Sequence, residues 1–335
     1  MPLFTPLSPS GRHARLAIFI FHRVLATTDN LQPGEPDVIR FERIVRFLRR
    51  AYTLLTVSDA AKKLADGTLP AAAACITFDD GYADNYYLAA PILSRYAAPA
   101  TFFIATGYVD GGCMWNDRII EALRIAPSGI FDLEDVGLGH FRLGDACSRL
   151  QACQIILPQL KYFAQDQRER VALDVAKSCG LGDDITLMMT THQLRALQRE
   201  GIEIGAHTDT HPILERIADN KAEVEIRHSK ACLENILEKS VTAFAYPNGR
   251  PEKDYSFRHT EMVRKAGFLA AVSTEQAIAT SASDRFQLPR FTPWDIGITR
   301  FVLRCGLALV QANGGRGAPA PSGPVAVHGF QEDKA

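Results

Sequence analysis

Paired cysteines are the first thing missing. The chain has seven cysteines, Cys75, Cys113, Cys147, Cys153, Cys179, Cys232 and Cys305, an odd number with no Cys-x-x-Cys spacing. That argues against a disulfide framework and against a cysteine-rich zinc site, and fits buried free thiols in a reducing compartment. Strong charge is missing too: the net charge is −1, which argues against a broad surface for nucleic acid or anionic membrane. No apolar run reaches 18 residues, and the nearest candidate, 301–310, is short and contains Arg304. Arg12, His13 and Arg15 do precede an apolar stretch at 16–21, but it is too short for a signal h-region and no small-residue cleavage site follows. No internal repeat is visible. The expectation is a cytoplasmic protein with no membrane span. With 335 residues, 47% of them hydrophobic, it is long enough for two domains or one large α/β barrel.

Residues 16–21 are continuously apolar, as in a strand buried on both faces, and end at His22-Arg23. A histidine at the C-terminal end of such a strand sits where barrel and doubly wound enzymes keep their chemistry, although a local hydrogen-bonding role fits equally well. Phe41, Ile44, Val45, Phe47 and Leu48 recur at helical spacing, with arginines opposite on a solvated face. A short strand at 52–57, a helix capped by Ser58, a strand at 75–80, a helix at 82–97 with Pro91 at an internal start or kink, and a strand at 100–105 follow in turn. This alternation predicts a parallel sheet. Residues 118–190 break the rhythm and read as a helical insertion without a motif. Strand and helix alternate again from 191 to 272, and 312–335, rich in Gly and Pro, reads as a flexible tail after a single catalytic domain over 1–311.

Two places carry chemistry. The first is Cys75-Ile76-Thr77-Phe78-Asp79-Asp80-Gly81-Tyr82, where an apolar strand stops at two adjacent carboxylates. At a strand's end the backbone curls, so both acids can turn to one pocket, and Gly81 permits the sharp exit. Carboxylates this close repel unless a cation or proton lies between them. A metal that takes one and leaves the other as a base would satisfy both; a plain Asp-Asp-Gly turn is the alternative. The second is His207-Thr208-Asp209-Thr210-His211, also at a strand's end, where imidazoles four residues apart on one helical turn could reach one ion. Two imidazoles and one carboxylate make a catalytic zinc set with a position left for water.

Thr77-Phe78-Asp79-Asp80-Gly81 together with His207-Thr208-x-x-His211 resembles the NodB-type polysaccharide deacetylases, carbohydrate esterase family four. Ala100-Thr101-Phe102-Phe103, Gly201-Ile202-Glu203-Ile204-Gly205, Phe244-Ala245-Tyr246-Pro247-Asn248-Gly249 and Leu288-Pro289-Arg290 extend the resemblance over most of 21–291. It implies a distorted (β/α)7-type barrel with a divalent metal, Zn2+ first among the choices, in its mouth. It implies that Asp79 is the base and that Asp80, His207 and His211 hold the metal. A backbone N–H near Tyr246 would help hold the oxyanion, and Thr208 would steady the histidine loop. Trp115, Asp117 and Pro247 would line the sugar groove, the alternative for Trp115 and Asp117 being a packing tryptophan beside a helix cap.

The sequence departs from the family at two points. The third motif lacks the arginine that orients the base, and Arg290 is the implied substitute. The terminal Leu-x-Leu-His is matched only by Val325-Ala326-Val327-His328, beyond the Gly/Pro-rich stretch. The resemblance favours His22 over His328 as general acid, because members with the same Phe/Tyr-His-Arg opening carry a histidine there. The implied activity is removal of N-acetyl groups from a glycan or a lipid-linked sugar, with exopolysaccharide synthesis as an example. Hydrolysis of another linear or cyclic amide, and a catalytically inactive carbohydrate-binding member, are the alternatives.

Overall fold

The computed structural model describes residues 1–182, 184–293 and 297–311. The strands are β1 (Leu16–Phe21), β2 (Thr53–Leu55), β3 (Ala73–Phe78), β4 (Thr101–Ile104), β5 (Gly129–Leu133), β6 (Gly139–Leu143), β7 (Glu203–Ala206), β8 (Ala243–Ala245) and β9 (Ala270–Val272). The helices are α1 (Val38–Ala51), α2 (Val57–Ala65), α3 (Ala90–Arg95), α4 (Trp115–Ile125), α5 (Ala146–Lys161), α6 (Gln165–Ser178), α7 (Thr191–Arg199), α8 (Asp219–Leu237), α9 (Phe257–Lys265) and α10 (Ile298–Gln311). Seven strands form one parallel sheet in the order β1-β3-β4-β7-β8-β9, with β2 also on β3. Every residue of β1 and β3 is buried, the outcome expected of uninterrupted apolar strands covered on both faces.

The sheet curls into a half-barrel surrounded by helices. Segment 288–291 spans its open side. Leu288 N–H donates to Ala271 and Ser273 N–H to Leu288, on the β9 side. Phe291 N–H donates to Ile18 at 2.6 Å, on β1. This segment therefore carries Arg290 into the interior, opposite the end of β3. Inside the curl, Leu16, Ile18, Cys75, Phe103, Ala245 and Val272 pack together, while a larger aromatic and aliphatic layer lies between sheet and helices.

Two expectations are corrected here. The helix expected over 82–97 is a wide π-helical turn, Asn85–Ala89, followed by α3. Pro91 lies in the first turn of α3, where it needs no N–H donor, and its ring crowds the turn before it. The insertion is not purely helical: β5 and β6 pair as an antiparallel hairpin between α4 and α5. With α4, α5 and α6 the hairpin encloses a separate core of Ile119, Leu123, Leu143, Cys153, Ile156 and Val175. All seven cysteines are free, and no described helix is long and apolar enough to cross a membrane. His328 and the 312–335 tail lie outside the described residues.

Candidate active site

The strand that ends at Phe78 releases Asp79 and Asp80 into a turn that only unusual backbone can make. Asp80 has φ +75° and Gly81 has φ +96°. Aspartate tolerates the left-handed region better than most side chains, and glycine is at home there. The two carboxylates thus diverge. Asp79, 2% exposed, turns to Arg290, which is fully buried. Its Oδ1 and Oδ2 accept from Arg290 Nη1 and Nη2, both at 2.7 Å. Arg290 Nε donates to the Ser273 carbonyl at 2.8 Å, and Nη1 reaches Thr77 Oγ1 at 3.3 Å. Burial would raise the Asp79 carboxyl, but Arg290 first and His207 next hold it below its ordinary value. Each oxygen of Asp79 keeps a second lone pair, and Oδ2 lies 3.8 Å from His207 Nε2.

Asp80 faces both histidines. Its Oδ1 is 3.5 Å from His207 Nε2 and 3.4 Å from His211 Nε2. These separations can be checked against a metal directly. A tetrahedral ion with ligand bonds of about 2.0–2.1 Å holds its ligands ~3.4 Å apart. His207 Nδ1–H donates to the Ala245 carbonyl at 2.7 Å, which leaves the Nε2 lone pair for an ion. The three donors lie within 4.8 Å of one another, so the residues fit a divalent cation. Burial lowers the His211 imidazolium to about 3, so this ring is neutral and able to ligate near pH 7. Burial acts the same way on His207, but Asp79 and Asp80 outweigh it and raise that ring. For Asp80, burial is likewise overcome, by the His207 hydrogen bond and the charges of His211 and His22, and its carboxyl is held far below the carboxylate range.

The two histidines are not on a helix, as their spacing suggested. They bracket a loop after β7 in which Thr208 and His211 have φ of +62° and +55°. A β-branched residue there is strained, and strain of this kind persists only where the surroundings over-determine it. Glu225 on α8 is one such support. Its Oε2 accepts from the N–H groups of Asp209 and Thr210, both at 2.8 Å, and its Oε1 accepts from Thr210 Oγ1 at 2.7 Å. Thr208 Oγ1 donates to the His207 carbonyl. Gly107 N–H donates to the Asp209 carbonyl, an approach so close that a Cβ on Gly107 would lie 2.9 Å from that oxygen.

His22 follows β1 on the same rim, and its charge is felt by both Asp79 and Asp80. Tyr246 is a correction. Its N–H donates to the Val272 carbonyl at 3.3 Å and its hydroxyl to the Phe286 carbonyl at 3.0 Å, while its ring stacks on Tyr255. Both of its own donors serve the fold, so an oxyanion donor near Tyr246 would have to be a neighbouring N–H and not that of Tyr246 itself. Pro247 follows, buried, before a tight turn at Asn248 and Gly249. Trp115 and Asp117 stand in the first turn of α4 instead of a loop. Asp117 is 2% exposed and accepts from the Tyr82 hydroxyl at 3.0 Å; burial pushes its carboxyl up to about 7. Arg23 lies over the Tyr82 ring and pairs with Asp84 at 2.8 Å, and Asp84 also accepts from Val24 N–H. This brace under His22 was not anticipated; its only sequence signal is a third acid close behind Asp79-Asp80.

Comparison with known proteins shows the family and the fold. A family model described as polysaccharide deacetylase matches residues 66–271, more than half of the chain. YxkH of Bacillus subtilis, named as a candidate polysaccharide deacetylase, is 22% identical over 279 residues, 83% of this chain and 71% of that protein. Among solved structures, the Streptococcus pyogenes deacetylase PplD, in complex with acetate, superposes with a TM-score of 0.57 at 19% identity, covering 83% of this chain and 92% of that one. IcaB from Ammonifex degensii does so with 0.56 at 16% identity, covering 90% and 98%. At these identities the two structures speak for the fold alone.

Proposed function

Since the chain belongs to the polysaccharide deacetylase family, we propose that it is a metal-dependent hydrolase that removes N-acetyl groups from a glycan or a glycan precursor. The observation that carries this reading is the division of labour between adjacent acids: Asp80 faces two imidazoles at tetrahedral-edge distances, and Asp79 is held apart by Arg290. Asp80, His207 and His211 would hold the cation, Zn2+ being the best match to two nitrogens and one oxygen. When bound there, it supplies Lewis-acid polarisation of the acetyl carbonyl and makes water acidic enough to attack at neutral pH.

The protein's own groups do the rest. Arg290 keeps Asp79 ionised and aimed, so Asp79 receives the proton lost by the attacking water. The C–N bond of the amide then breaks, acetate leaves, and the amine takes a proton. His22 supplies that proton in this reading, from the end of β1 beside the strand that carries Asp79. Trp115 and Pro247 would border the sugar.

The test is acetate release from N-acetylglucosamine oligomers by protein before and after chelation. Release should vanish with chelator and return with Zn2+. Release that survives metal removal sinks the metal role, while metal-loaded protein that frees no acetate from any N-acetyl sugar moves the site to another amide or to carbohydrate binding. His22→Ala should lower kcat by ~10²–10⁴ with little change in KM, and His328→Ala should leave kcat unchanged. The reverse pattern reassigns the general acid.

A further inference from the structure

The insertion brings positive charge to the edge of the metal cluster. Arg168, on α6, is 4% exposed, yet its Nε has no hydrogen-bond partner among the described residues. Its Nη1 reaches the Lys161 carbonyl at 3.3 Å, and its guanidinium lies 5.0 Å from the centre of the Trp115 ring. It is close enough to His211 to help hold that ring neutral. One residue of the same helix, Gln165, donates to Thr210 Oγ1 at 2.9 Å, which ties α6 directly to the histidine loop.

Behind Arg168 the charge continues. Lys161 Nζ, the Arg216 guanidinium and Lys253 Nζ lie 5.7, 5.4 and 5.0 Å from the centre of one ring, that of Tyr162. Each is within cation–π range of that ring. Arg250 adds a fourth charge that Lys161 feels. Asp254 is fully buried: its Oδ2 accepts from Arg250 N–H, and its Oδ1 has no hydrogen-bond partner among the described residues. Glu169 stands next to Arg168 on α6. Burial, with Arg250, Lys253 and Arg168 adding to it and Asp254 opposing, lowers the Lys161 ammonium to about 8. Positive charge on three separate segments around one ring, beside a buried guanidinium with an unused donor, sets up a local field that favours an anion.

We propose that Arg168, Lys161, Arg216 and Lys253 around Tyr162 form an anion subsite beside the metal cluster, which receives a carboxylate or phosphate carried by the glycan next to the N-acetylated sugar. This deepens the deacetylase reading and rests on it. The substrate class is then an acidic glycan or a sugar phosphate, not a neutral homopolymer. Arg168 is the inner contact, because its planar fork suits an oxyanion, it lies over the Trp115 ring and its charge acts on His211. Arg216 and Lys253, both exposed, are the outer contacts that draw the chain in.

The experiment compares kcat/KM for acetate release from three probes: a neutral N-acetylglucosamine tetramer, a tetramer alternating N-acetylglucosamine with glucuronate, and N-acetylglucosamine 1-phosphate. At least one acidic probe should exceed the neutral one by about tenfold, and rising salt should erode the difference. The double variant Arg216→Gln/Lys253→Gln, at exposed positions where folding is not at risk, should remove most of that preference. The two acidic probes tell carboxylate from phosphate. Release from the neutral probe with no acidic preference, or a preference the double variant does not change, overturns the subsite and leaves the deacetylase reading standing. If no probe yields acetate, the deacetylase reading falls, and titration with inorganic phosphate decides the subsite: the NMR signal of Arg168 Nε–H should shift, and an unmoved signal overturns it.

Discussion

Asp79→Asn should lower kcat for acetate release by ~10³ or more while zinc binding persists. The cation donors are Asp80, His207 and His211, and none is removed. What is lost is the proton acceptor. An asparagine amide cannot take a proton from water, and one end of it now presents N–H groups to a guanidinium that also only donates. The variant will therefore be less stable as well as slower, because Arg290 keeps a buried charge without its partner. Asp79→Glu separates the two effects. It keeps a negative charge facing Arg290 and recovers stability, but an extra methylene displaces the base by about 1 Å, and such shifts cost ~10² in rate. Rates should be scaled to folded, zinc-loaded protein. An Asp79→Asn protein that stays within tenfold of wild type would mean that another group accepts the proton.

Much of this arrangement could be anticipated, for definite reasons. β1 and β3 are apolar without a break, so their burial on both faces and parallel pairing follow from side-chain character alone. The acids at the end of β3 and the histidines after β7 were visible as chemistry at strand ends. Their joining follows from the family resemblance and not from local pattern, since it depends on β3, β4 and β7 lying side by side at the same level. The helical turn imagined for His207 and His211 failed because Glu225, far along the chain, pins the loop in a left-handed form that no local propensity selects. The hairpin of β5 and β6 escaped notice because most of its residues are exposed and it lacks the apolar alternation of a half-buried strand. The motif at Tyr246 marks the strand end, but which way its own N–H points is settled by the neighbouring strand, here by Val272. Arg290 was legible only through the family resemblance, and Arg168 not at all; both are long-range placements, made by a bridging segment and by an insertion.

Arg290→Met should be the most destabilising of the substitutions considered, at about 3–5 kcal/mol near pH 7, and its pH dependence should run opposite to that of the wild type. The comparison belongs in the metal-free protein. In the wild type the Asp79 carboxyl is held below its ordinary value by Arg290 against the effect of burial. A carboxyl depressed in the fold adds stability above its unfolded pKa of about 3.9, and that contribution is lost as pH falls through the lower, folded value. Without Arg290 only burial and the nearby histidines act on it, and the nearby Asp80 adds repulsion. The carboxyl then rises above its unfolded value, so it costs stability at neutral pH and the cost fades as acid protonates it. Between pH 7 and pH 5 the deficit of Arg290→Met relative to wild type should therefore shrink. Because His207 is common to both proteins, the difference between them isolates Asp79. The double variant Asp79→Leu/Arg290→Met supplies the control: with neither charge left in the interior, it should be more stable than Arg290→Met alone, and its deficit should not vary with pH over this range. A deficit for Arg290→Met that stays flat from pH 7 to pH 5 would show that Asp79 does not depend on Arg290 for its charge, and the positioning role assigned to that arginine would have to be given up.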